Sequence, residues 1–211
     1  MHAYATNAKD RKNMLGIIAI PAVLAAVLLN SIIQVLKLPI LLYIDTPAVA
    51  GFYGLFFWLF DRVLWSKKLG SLRLSQIPDI RGTWVGIIHS SFQNVKVQVV
   101  VYFDQTWSEL SMKLETENSI SSSTMAALNI NAGNESGLKY EYRNEGKAYG
   151  TTPDHRGAGH IILLPDGKTL EGKYYTSEGS NNTGTITLKL LSKERLPREK
   201  SIEQAKRKHF I

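Results

Sequence analysis

The chain has 211 residues, a formal net charge of +7 and a mean hydropathy of only −0.10. It contains no cysteine, which excludes disulfides and thiolate metal sites and fits a reducing compartment. The basic balance points to an anionic partner, whether a membrane surface, a nucleic acid or a phosphorylated ligand, while apolar residues crowd into the first third.

The first element is "LGIIAIPAVLAAVLLNSIIQVL", residues 15–36. As a helix it reaches about 33 Å, enough to cross a hydrocarbon core of about 30 Å. A second apolar stretch runs from Thr46 to Trp65, and Lys37, Pro39 and Asp45 predict a short turn between the two. A cleaved signal peptide would need a small-residue cleavage site, and none follows the first stretch. Lys9, Arg11 and Lys12 precede the first span, and Arg62, Lys67, Lys68, Arg73 and Arg81 follow the second. The positive-inside bias therefore predicts a two-span hairpin, residues 1–66, with both ends cytoplasmic. Asn30 and Gln34 lie four apart on the first helix, and Ala50 and Gly54 four apart on the second. Small and polar residues of this kind mark faces where helices meet in lipid. Packing within one hairpin and association between chains both suit the pattern.

Residues 67–81 read as a linker. From Gly82 the apolar period changes to two, giving strands near 82–89, 95–104, 107–117, 120–131, 137–145, 158–165, 168–176 and 183–192. Eight short antiparallel strands with one polar face hide their edges by closing into an up-and-down barrel, spanning residues 82–192; a two-sheet sandwich is the other solution. The helical period returns only in the charged tail, residues 193–211, which reads as solvated charge and headgroup contact. Neither basic cluster is interleaved with aromatics, which argues against a DNA or RNA polymer as partner.

A barrel of eight strands has room for its own side chains or for one small ligand. Inward parity on the fifth strand carries Tyr140, Tyr142 and Asn144, and on the seventh Tyr174 and Thr176. The connection 146–156 brings His155 and Arg156 to the same mouth. Tyrosine faces, an amide, a hydroxyl and a guanidinium suit a flat aromatic ligand with phosphates; tyrosines capping a core with wet hydroxyls are the plainer reading. At the opposite end Gly82 and Trp84 form Gly-x-Trp on the first strand, the lipocalin-like arrangement in which tryptophan closes the floor and glycine lets the incoming chain pass beneath it. No nucleophile triad, paired carboxylates or metal spacing emerges, so the expectation is a binding protein without catalytic residues, metal or cofactor.

The order of two spans, "IRGTWVG", "YEYRN", "PDHRGAGHIIL", "LEGKYYT" and "TGTITLKL" resembles the two-transmembrane, β-strand-rich effector family of bacterial CBASS anti-phage defence. The resemblance covers nearly the whole chain. It implies a cytosolic barrel at the inner membrane that binds a cyclic oligonucleotide made by a partner nucleotidyltransferase. It further implies self-association on binding, disruption of the lipid bilayer and death of the infected cell. Tyr142, Asn144, Arg156, Tyr174 and Thr176 match the motif positions where the pocket is expected. Two other readings remain open on the residues alone: a membrane-tethered lipocalin-like carrier of an apolar small molecule, and an assembly protein whose barrel binds another protein.

Overall fold

The structure, a computed structural model, describes residues 1–36, 45–70, 72–91, 94–130, 136–148, 154–177 and 182–211. The expected turn at Lys37 and Pro39, and residues 149–153 of the loop over the mouth, lie outside the described residues. Two compact units divide the chain, one formed by Ala8–Ile77 and the other by Met1–Asn7 with Pro78–Ile211.

In chain order the elements are β1 (His2–Ala3), β2 (Ala5–Thr6), α1 (Asp10–Val35), α2 (Asp45–Arg62), β3 (Lys68–Leu69) and β4 (Leu72–Arg73). The barrel strands follow as β5 (Gly82–Ser90), β6 (Lys96–Gln105), β7 (Glu109–Glu115), β8 (Ser119–Ile130), β9 (Ser136–Gly146), β10 (His155–Leu163), β11 (Thr169–Thr176) and β12 (Thr183–Ser192), and α3 (Arg198–Arg207) closes the chain.

In the Ala8–Ile77 unit, α1 buries Met14, Ile18, Ala22 and Ala26, a four-residue spacing that makes one stripe, and it packs against α2. The rest of α1 is apolar yet uncovered: Ile20 is 62% exposed, Leu24 64% and Leu28 62%. Among the described residues it is the one helix long and apolar enough to cross a membrane, by length and composition. The second span is shorter than the expected 46–65. Val63 leaves helical geometry, a 3-10 turn takes Leu64–Ser66, and Trp65 is buried. Asn30 is half-buried, while Gln34, Ala50 and Gly54 are exposed, so the Ala50/Gly54 face is not the one α2 covers with α1. The stretch read as a linker is structured: β3 and β4 form a small ribbon, and Ser75 Oγ and the Gln76 N–H donate to Asp10 Oδ2 at 2.6 and 3.0 Å.

In the other unit, each of β5 to β12 pairs antiparallel with its sequence neighbour, and β12 returns to β5, so the sheet closes as an up-and-down barrel. The alternation on β9 and β11 is as the period of two requires, with Leu138, Tyr140, Tyr142 and Asn144 buried and Lys139, Glu141 and Arg143 exposed. The floor is tightly knit. Trp84 is fully buried and its ring N–H donates to the Ile80 carbonyl at 2.9 Å. Phe103 meets it edge-on, with ring centroids 6.2 Å apart. Gln105 locks the incoming chain, accepting from the Ile80 N–H at 3.0 Å and donating to the Pro78 carbonyl at 3.1 Å.

In this unit two further features depart from the sequence reading. The first seven residues belong to the barrel unit, because β1 pairs with β7 and β2 pairs in parallel with β8. The charged tail is not merely solvated: α3 buries Ser201 and Ala205. Ala205 joins Val85, Val100, Tyr102 and Leu191 in a second core on the outer wall. That cover explains why β6 is buried on both faces from Val99 to Phe103.

Candidate functional site

The cavity of the barrel opens at the end made by the β5–β6, β7–β8, β9–β10 and β11–β12 connections, opposite Trp84 and the incoming chain. Its volume is about 240 Å³. Lower down the wall is aliphatic, with Ile88, Val97, Met112, Leu114 and Ile186; towards the mouth it gathers Ser90, Thr116, Ser119, Ser121, Thr176 and Asn182. Val95, Tyr140, Tyr142, Tyr174, Asn144 and His155 complete it. Five of the six residues expected to bind ligand, Tyr142, Asn144, His155, Tyr174 and Thr176, thus line one cavity.

Pairing register puts each tyrosine where its ring has space. Tyr142 faces Gly157, Tyr140 faces Gly159, and Tyr174 lies between Gly159 and Gly184. A Cβ at Gly157 would run into the Tyr142 phenol, one at Gly159 into that of Tyr140, and one at Gly184 into that of Tyr174. The missing side chains let the rings lie across the wall instead of filling the lumen. Tyr140 and Tyr142 tilt against each other at 6.1 Å, and the His155 ring meets Tyr142 edge-on at 6.2 Å. Burial, and then the neighbouring tyrosines, push the Tyr140 phenol well above the ordinary tyrosine range; burial, and then Tyr174, do the same to Tyr142. Both stay neutral hydroxyls at any physiological pH.

Asn144 is the most enclosed polar group of this wall, at 3% exposure. Register sets it between Ser121 of β8 and His155 of β10. Its Oδ1 accepts from Ser121 Oγ at 2.8 Å, and its Nδ2 has no partner among the described residues. No lysine, arginine, aspartate or glutamate lines the cavity among the described residues.

Arg156 does not join the others. β10 begins at His155, three residues before the expected start, and consecutive strand residues point to opposite faces. His155 turns inward and Arg156 lies exposed on the outer wall, where its carbonyl accepts from the Ser177 N–H at 2.8 Å. The residues that sequence reasoning missed are the hydroxyls of β8, above all Ser121. Their signal is the inward parity of "SISSS", residues 119–123.

Residues 75–190 match the family model described as Cap15, cyclic dinucleotide receptor domain. The match begins just before the floor and ends within β12, so it coincides with the barrel. A protein from Yersinia aleksiciae described as CD-NTase-associated protein 15 is 29% identical over 147 residues, which cover 67% of this chain and 68% of that protein.

Proposed function

We propose that this chain, which belongs to the Cap15 cyclic dinucleotide receptor domain family, is a membrane-embedded defence effector whose barrel is the sensor. The barrel binds a cyclic dinucleotide without hydrolysing it, binding favours self-association, and the apolar helices then disrupt the inner membrane. The observation that carries the sensor half is the cavity itself: aromatic rings laid flat on the wall beside a buried amide with an unused donor. Aromatic faces and a few placed polar groups are what recognition of a nucleobase requires.

The membrane half has support from topology. Met1–Asn7 is paired into the same barrel unit as Pro78–Ile211. The two ends of the intervening segment therefore lie on one side of any bilayer, and that segment must cross an even number of times. If α1 crosses, a second crossing is needed, and α2 is the apolar helix available for it. The flanking basic residues place both ends in the cytoplasm, where a nucleotide second messenger is made.

A ligand shifts an equilibrium only by its differential affinity for the two states, so the test is full-length protein in detergent and in dye-loaded liposomes. Cyclic dinucleotides should bind uncleaved, increase particle size and release dye. Tight binding with neither change would leave a receptor and remove the membrane-disrupting role. The aliphatic lower wall favours a second reading, a tethered carrier of an apolar small molecule. Saturation of the cavity by an alkyl probe, with no response to any cyclic dinucleotide, would establish that reading instead.

A further inference from the structure

We infer that the ligand enters the barrel base first: one nucleobase goes inside with its hydrogen-bonding edge on Asn144, and the phosphates stay at the lip. The inference rests on the cyclic dinucleotide reading above and says which part of that ligand the cavity takes.

Three observations support it. The first is the Asn144 amide. A donor without a partner among the described residues, on a side chain 3% exposed, is costly to leave unmade, and Asn144 is the one of this kind that lines the cavity. Ser121 Oγ donates to Oδ1 and so fixes which end of the amide is which, and both residues line the cavity. That donor, with the Ser121 oxygen beside it, presents the complement of a base edge that carries an acceptor next to an N–H. The second is charge. The lining holds no lysine or arginine among the described residues, so a phosphate inside would be desolvated without a counter-charge. Arg143 is on the outer wall, paired with Glu145 at 3.2 Å and Asp154 at 3.4 Å, and Arg156 is outside as well. The third is size. At about 240 Å³ the cavity lies below the range of roughly 300–1,000 Å³ usual for whole small-molecule ligands. As lined by the described residues, the space is of the size of a single base rather than of a two-nucleotide ring.

At the lip the phosphates remain in water. Lys147 is exposed and its Nζ donates to the carbonyl of Thr116, a cavity residue, at 2.6 Å, but it lines a groove on the outer wall with Tyr102, Glu115 and Arg195.

The experiment uses full-length protein in detergent and a panel of 3′,3′-linked cyclic dinucleotides covering the four bases. Asn144→Asp keeps the shape and the Ser121 bond but removes the donor, and should weaken the best binder at least tenfold. Lys147→Ala and Arg156→Ala, both on the outer wall, should each change it less than twofold. Competition on the unaltered protein guards against a misfolded variant. The free nucleoside of the preferred base should displace the ligand at millimolar concentration, and ribose 5-phosphate should not. Unchanged affinity in folded Asn144→Asp, or displacement by ribose 5-phosphate as strong as by the nucleoside, overturns the base-first orientation while the receptor reading stands. If no cyclic dinucleotide binds the unaltered protein, both fall together.

Discussion

At Gly82 the backbone takes φ +121, and a Cβ there would collide with the Ser192 carbonyl on the neighbouring strand. Both facts come from one cause: the chain must turn under Trp84 and join the sheet within two residues. Strain at such a position and forced overpacking each cost about 1–3 kcal/mol. Gly82→Ala should therefore lower barrel stability by roughly 2 kcal/mol or more, read by chemical denaturation of full-length protein in detergent. An unmoved midpoint would mean that the floor does not need this crossing. Asp79, three residues earlier, ties the same corner by charge. Burial alone would raise its carboxyl, but hydrogen bonding from Arg81 and the charges of Lys193 and Arg81 outweigh that and hold it below the ordinary aspartate range. The Arg81 contacts are paired, at 2.9 Å to each carboxylate oxygen. A depressed folded-state value means stability present above the unfolded value of about 3.9 and lost as pH falls through the folded one. Asp79→Asn should cost about 1 kcal/mol at pH 7, and its stability gap from the parent should close below about pH 4. A gap that persists undiminished to pH 3 would show that packing, not charge, explains the loss. At this scale the sequence was readable wherever strand alternation was uninterrupted, as for Tyr140, Tyr142, Asn144, Tyr174 and Thr176. It misled at Arg156, because the start of β10 decides which of two consecutive residues faces in.

Among the elements, the N-terminal strap is the one whose role the sequence hid. β7 and β8 pair directly only over Lys113–Glu115 with Ser122–Ile120. Beyond that they diverge, and open strand edges would result. β1 fills the β7 side, pairing His2 with Leu110 and Ala3 with Glu109, while β2 fills the β8 side, pairing Ala5 with Ala127 and Thr6 with Leu128. Tyr4 is 4% exposed and its hydroxyl donates to the Trp107 carbonyl at 2.8 Å. The Asn7 side-chain amide clasps the Ile130 backbone, its Nδ2 donating to the carbonyl at 2.9 Å and its Oδ1 accepting from the N–H at 2.6 Å. Tyr4→Ala should loosen the strap locally, raising amide exchange along Glu109–Met112 and Met125–Ile130 at least tenfold and leaving β11 and β12 protected. Uniform exchange across the barrel would mean that the strap is part of one cooperative unit rather than a clasp. Its invisibility has a physical origin: two bridges of two residues have no periodicity, and their partners lie more than a hundred positions away. The eight barrel strands were readable for the opposite reason, since seven to twelve residues of inside–outside alternation repeat in each. The packed face of α3 fell between these cases. Its helical period was visible, but Ser201 and Ala205 give little apolar signal among so many charges.

For the whole molecule, the strap turns a question about helices into one about sides. A reporter joined after Ile211 should behave as cytoplasmic, and one joined after Leu36 in a truncated chain should behave as periplasmic. Two reporters on the same side would mean that α1 does not cross, and the membrane half of the proposed function would fail with it. Where the sides are opposite, sensing and damage become separable. Asn144→Asp acts in the cavity and should weaken ligand binding at least tenfold, with assembly and leakage falling in step. Ala50 and Gly54 lie exposed on α2, and a Cβ at Gly54 meets open space, so Gly54→Leu leaves the helix room to form. If that small-residue face joins one chain to the next, close approach is lost. Gly54→Leu should then bind ligand with unchanged affinity yet give smaller particles and at least a tenfold slower release of dye from liposomes. Full leakage from Gly54→Leu would show that assembly runs through another face of the helices, or through the barrels alone.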